Sequence, residues 1–113
     1  MSLHLPECQA ADHAPIRGKI PDRDVCERAA CIFRALGDTA RLQLLALLAE
    51  GELCVTDISD RLGDNLPAVS QRLKLLRSER IVKQRREGKH MFYSLADRHV
   101  AELISNALEH ANE

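Results

Sequence analysis

Two short apolar stripes, separated by a glycine and followed by a change of period, constrain this chain more than any other feature. Leu53, Val55, Ile58 and Leu62 recur at helical spacing and stop at Gly63, a residue that enters the left-handed region at no steric cost and so ends helices. Asn65 then offers a helix N-cap, Pro67 fits only a first helical turn, and Val69, Leu73 and Leu76 supply a second buried face. Two short helices joined by a turn of about three residues make a helix-turn-helix unit, whose second helix enters the DNA major groove. After Arg80 the period moves towards two: residues 81–86 and 90–95 read as strands, with Glu87-Gly88-Lys89 as the hairpin turn. A helix-turn-helix followed by a hairpin is a winged helix, so the expected class is mainly α with a small β-hairpin.

The remaining segments fit around that unit. Residues 1–21 carry Pro6, Pro15, Pro21 and Gly18 without an apolar period, and read as a flexible N-terminal arm. Residues 22–113 read as one DNA-binding and dimerisation domain, a size that suits one core. Val25, Ala29, Ile32, Phe33 and Leu36 predict a first helix ending at Gly37. Asp38 caps the next, whose Leu42, Leu44, Leu45, Leu47 and Leu48 make it apolar nearly all round and place it centrally. Asp97 caps a last helix bearing Val100, Ala101, Leu103, Ile104, Ala107, Leu108 and Ala111. That is more apolar surface than one small domain buries, which predicts a homodimer through terminal helices; the alternative is a helix folded back on its own core.

Charge distribution supports a nucleic-acid partner. The net charge is −1, yet residues 71–90 hold eight Lys and Arg against two Glu, a local charge of +6 that leaves −7 on the rest. A duplex would meet one basic surface. Asn65 at the start of the recognition helix, with Ser70, Gln71, Arg72 and Lys74 off its apolar stripe, is a candidate for groove contacts: Gln matches adenine edges and Arg guanine edges. Arg85, Arg86 and Lys89 on the wing are candidates for phosphates or the minor groove. No apolar run approaches a membrane span, no basic flank precedes an apolar stretch at the N-terminus, and the cytoplasm is the expected compartment. Cys8, Cys26, Cys31 and Cys54 are accordingly expected to be thiols. No nucleophile elbow or glycine-rich phosphate loop is present, so no enzyme is expected.

The last helix carries a second pattern, Asp97-x-His99 at its start and His110-x-x-Glu113 at its end. Each pair can share a metal. The two histidines are eleven residues apart, about 16 Å along a helix, whereas ligands of one zinc lie within about 4 Å of each other. One helix cannot close such a site, but two packed antiparallel across a twofold axis bring the start of each beside the end of the other. Two imidazoles and two carboxylates suit tetrahedral Zn(II), with Co(II) as a surrogate and Ni(II) or Cd(II) as less natural guests. The other reading makes Asp97 a cap and the histidines surface residues.

The segments 53–57 (Leu-Cys-Val-Thr-Asp), 68–76 and 86–95, with the final-helix pairs, resemble the ArsR/SmtB metal-sensing repressors over roughly residues 25–113. The resemblance implies a dimeric repressor that binds operator DNA without metal and releases it when metal binds, freeing efflux or sequestration genes. It identifies Asp97, His99, His110 and Glu113 with the family's final-helix zinc site. Cadmium and lead sensors of that family carry Cys-x-Cys on the third helix, where this chain has Cys54-Val55-Thr56, so a trigonal arsenic site of the usual kind is not expected. A second site, like that of some zinc sensors of the family, is open to Cys54 and Asp57 together with Cys8 and His13 of the arm; Cd(II), Pb(II) and Co(II) stand beside Zn(II) as alternative effectors. A rival reading keeps the DNA binding but makes the cysteines sensors of a thiol oxidant.

Overall fold

Three of the helices begin where the sequence supplies a side-chain oxygen for a free first-turn amide. Asp38 Oδ2 accepts from the Arg41 amide at 3.0 Å to open α2 (Thr39–Leu48), Asn65 Oδ1 from Ala68 at 2.9 Å to open α4 (Leu66–Ser78), and Asp97 Oδ1 from Val100 at 3.0 Å to open α5 (Arg98–Ala111). Before α2 runs α1 (Arg23–Leu36), and α3 (Val55–Leu62) precedes α4. Three strands, β1 (Leu53–Cys54), β2 (Val82–Glu87) and β3 (His90–Leu95), complete the domain. The computed structural model describes residues 5–7, 9–15 and 18–113; outside α1–α5 and β1–β3 their one further helical element is a 3₁₀ turn at Ala10–Asp12. None of the described helices is long and apolar enough to cross a membrane.

The helix-turn-helix is closed by local bonds. Gly63 adopts φ +66° and ends α3, with its amide and that of Asp64 reaching the Asp60 and Ser59 carbonyls. The Ser59 hydroxyl donates back to the Asp64 carbonyl. In the wing the register runs from Val82 opposite Leu95 to Glu87 opposite His90. The turn is therefore the two residues Gly88-Lys89, one fewer than predicted, with Gly88 at φ +62° as the first central residue of a tight hairpin.

Two expectations need correction. Leu53 was predicted on the third helix's stripe; it lies instead in β1, paired with Tyr93, while Cys54 pairs with Phe92, so the sheet has three strands in the order β1-β3-β2. A two-residue strand leaves no period of its own in the sequence. The stripe on α1 is only partly core: Ala35 is buried and Ile32 and Leu36 pack against the core, but Val25 and Phe33 are 47% and 60% exposed.

The core gathers around α2. Leu44, Leu45 and Leu48 meet Ile58 of α3, Val69, Leu73 and Leu76 of α4, Ile81 and Val82 leading into the wing, and Ile104 of α5. One residue before that sheet is strained: Arg80 sits at φ +59°, the left-handed position after α4, while Ile81 bonds back to the Leu76 carbonyl at 2.9 Å. Arg80→Gly removes the Cβ clash, and we expect it to raise unfolding stability by about 1 kcal/mol in urea denaturation; an unchanged midpoint would mean that the turn is already relaxed.

Candidate nucleic-acid interface and metal-ligand pairs

The recognition helix presents a polar face opposite the buried Val69, Leu73 and Leu76. Ser70, Gln71 and Lys74 are exposed, and Asn65, also exposed, spends its side-chain oxygen on the cap. Arg72 differs. Sequence patterning left it free to meet a groove, but its Nη1 donates to Asp64 Oδ2 at 2.6 Å, and only 25% of the side chain is exposed. The guanidinium, together with the Asn65 amide, holds the Asp64 carboxyl below its ordinary range. Gln71 and Arg72 line an open cleft of about 400 Å³ with Arg41, Ala68 and Leu75.

The wing shows a similar contrast. Arg86 and Lys89 are exposed and form no ion pair among the described residues. Arg85, predicted to sit over DNA phosphates, is engaged within the protein. Its Nε and Nη2 fork onto Glu52 at 2.9 and 2.6 Å, its Nη1 reaches Glu87 at 2.6 Å, and its Cζ lies 4.7 Å from the Phe92 ring centre. The two carboxylates raise the Arg85 pKa, and the hydrogen bond from Arg85 lowers that of Glu52. Arg85 thus ties the wing to the connection between α2 and β1. Sequence reading missed Glu52 because its partner lies 33 residues away. It also missed the role of Arg41, whose Nε and Nη2 donate to the Ala35 and Arg34 carbonyls at 2.7 and 3.2 Å and so cap the end of α1.

The four final-helix residues form two pairs at opposite ends of α5. His99 Nδ1 lies 3.8 Å from Asp97 Oδ1, and His110 Nδ1 lies 3.7 Å from Glu113 Oε2, all four side chains being exposed. Asp97 also caps the helix through Oδ1, which leaves Oδ2 for another partner. Within one chain no three metal-ligating side chains converge among the described residues, in keeping with a helix that separates its ends.

The second candidate group is anchored on buried Cys54. Its Sγ lies 3.1 Å from Thr56 Oγ1 and donates to Asp57 Oδ2 at 3.3 Å. His13 is exposed and is not brought to Cys54; Cys8 lies outside the described residues.

Comparison with known proteins places these features in context. The family model for bacterial regulatory proteins of the arsR family matches residues 38–84, from the cap of α2 into the wing. The chain is 40% identical over 98 residues to a transcriptional repressor SmtB homolog of Synechocystis sp., covering 87% of this chain and 74% of that protein. It is also 40% identical over 83 residues to a cadmium resistance transcriptional regulatory protein CadC homolog of Staphylococcus aureus, covering 73% and 69%. Among solved structures it resembles the homodimeric winged helix-turn-helix DNA-binding domain of a possible ArsR-family regulator from Mycobacterium bovis, with a TM-score of 0.76, 36% identity, and 85% and 91% of the two chains covered.

Proposed function

From the premise that this chain belongs to the ArsR family of bacterial regulatory proteins, we propose that it is a metal-responsive transcriptional repressor: a homodimer that holds operator DNA when metal-free and releases it on binding Zn(II), freeing metal efflux or sequestration genes. It is a regulator, not an enzyme. The observation that carries the metal reading is the placement of two imidazole-carboxylate pairs at the two ends of α5. Asp97 and His99 of one protomer and His110 and Glu113 of the partner subunit supply two nitrogens and two oxygens, a donor set that suits Zn(II), with Co(II) as a surrogate. Softer Cd(II) and Pb(II) favour thiolates, and Cys54, at the end of β1 just before α3, offers one.

DNA binding rests on the exposed polar face of α4 and the free cations of the wing. Ser70, Gln71 and Lys74, with Arg72, face the major groove, and Arg86 and Lys89 neutralise phosphates. Arg85 joins them only if phosphate displaces Glu52 and Glu87. Dimerisation rests on the apolar residues left exposed on α1 and α5. Metal that ties the two α5 helices together favours one spacing of the recognition helices and DNA favours another, so each ligand weakens the other, typically by roughly 5- to 150-fold.

Fluorescence anisotropy of an operator fragment, with and without Zn(II), tests this in the wild type and in a His99→Ala, His110→Ala double variant. The expected result is tight binding in both, weakened by zinc within that range in the wild type alone. Equal loss in both would move the metal to Cys54 and Asp57 with Cys8 and His13 of the arm, a reading favoured by the preassembled thiol and carboxylate. No zinc effect in either would favour a thiol oxidant sensed by the cysteines.

A further inference from the structure

Asp64 is held by four hydrogen bonds in the turn of the helix-turn-helix. Its amide donates to the Ser59 carbonyl at 3.2 Å, its carbonyl accepts from the Ser59 hydroxyl, and its Oδ1 accepts from the Asn65 amide at 2.9 Å. The remaining carboxylate oxygen, Oδ2, takes Arg72 Nη1 at 2.6 Å from eight residues along the chain. A carboxylate pinned on one oxygen and paired through the other is a fixed post. It draws the Arg72 side chain back towards the N-terminal end of α4, the end that meets base edges in a helix-turn-helix complex. Nε and Nη2 of Arg72 have no hydrogen-bond partner among the described residues, and a two-donor guanidinium edge is what guanine O6 and N7 require.

We propose that Asp64 is a specificity-determining residue that aims Arg72 at a guanine. The inference rests on the DNA-binding reading above. Without Asp64, Arg72 gains rotamers and turns to the nearest phosphate, which adds affinity for any duplex while discrimination falls. An acid serving only to neutralise Arg72 would need no anchoring, whereas three further hydrogen bonds hold the Asp64 backbone and carboxylate in place.

The test begins with the full chain and a random duplex pool, from which the wild type enriches its preferred sequence. Dissociation constants for that duplex and a scrambled one are then measured at several salt concentrations for wild type, Asp64→Asn, Arg72→Ala and the double variant. Asparagine keeps an oxygen for the Asn65 amide, and circular dichroism checks that the variants fold. Asp64→Asn is expected to lower the preferred-to-scrambled ratio by roughly 5- to 150-fold, the range for one two-donor arginine-guanine contact. It is expected to steepen the salt dependence on scrambled DNA by about one phosphate contact, and to change the ratio no further once Arg72 is alanine. A ratio unchanged by Asp64→Asn, or lowered equally without Arg72, would overturn the proposal and leave DNA binding intact. A wild type that enriches no sequence would overturn both.

Discussion

A Phe33→Glu chain is expected to sediment as a monomer and to bind operator DNA about 10²- to 10⁴-fold more weakly than the wild type, the gain that linking two binding modules supplies. Phe33 is 60% exposed on α1, Val25 lies eight residues before it at 47%, and Leu108 of α5 is 38% exposed. Phenylalanine that open, on a helix only partly packed on the core, is unusual for an isolated domain, and a second copy gives these side chains somewhere to go. A carboxylate there must lose water without gaining a partner, which dissociates the pair. The wing and recognition helix lie elsewhere, so circular dichroism should be unchanged. A variant that still sediments as a dimer would place the interface on another surface.

Leu44→Ala is expected to be the most damaging single change to the fold, lowering stability by about 2–5 kcal/mol. Leu44 is fully buried at the centre of α2, between the helix-turn-helix and α5. Domains of this kind hold about 5–15 kcal/mol in total, so the variant would lose a large share. Urea unfolding at a fixed protomer concentration measures it, since a dimer's midpoint depends on concentration. Leu75→Ala, on the exposed side of α4, serves as the comparison and should cost far less. Similar losses at both positions would mean that α4 packs on both faces, against the burial seen here.

The elements and side-chain pairs of the candidate site were legible where their parts lie close along the chain. The recognition helix and its cap, the wing, and the two imidazole-carboxylate pairs all follow from spacings of a few residues. Arg72 was correctly placed off the apolar stripe, but its capture by Asp64 was not anticipated, because an acid in a turn reads equally as a solvated residue. Arg85 shows the same limit. Composition counts it as one more cation on a basic wing, and only the approach of Glu52 reveals that its charge is engaged.

The sequence alone determined the order of the helices and the wing, the starts of three helices, the left-handed stop at Gly63 and the buried face of α4. Capping bonds, turns and helical periodicity act within about four residues, so their information lies in adjacent letters. The tertiary structure decided the rest: that Leu53 and Cys54 add a third strand to Tyr93 and Phe92, that Glu52 anchors the wing through Arg85, and that Phe33 faces outward while Ala35 is buried. These depend on which elements meet across some 30 to 40 residues, and that is fixed by how α2 packs its many apolar faces, for which no local pattern gives a direction.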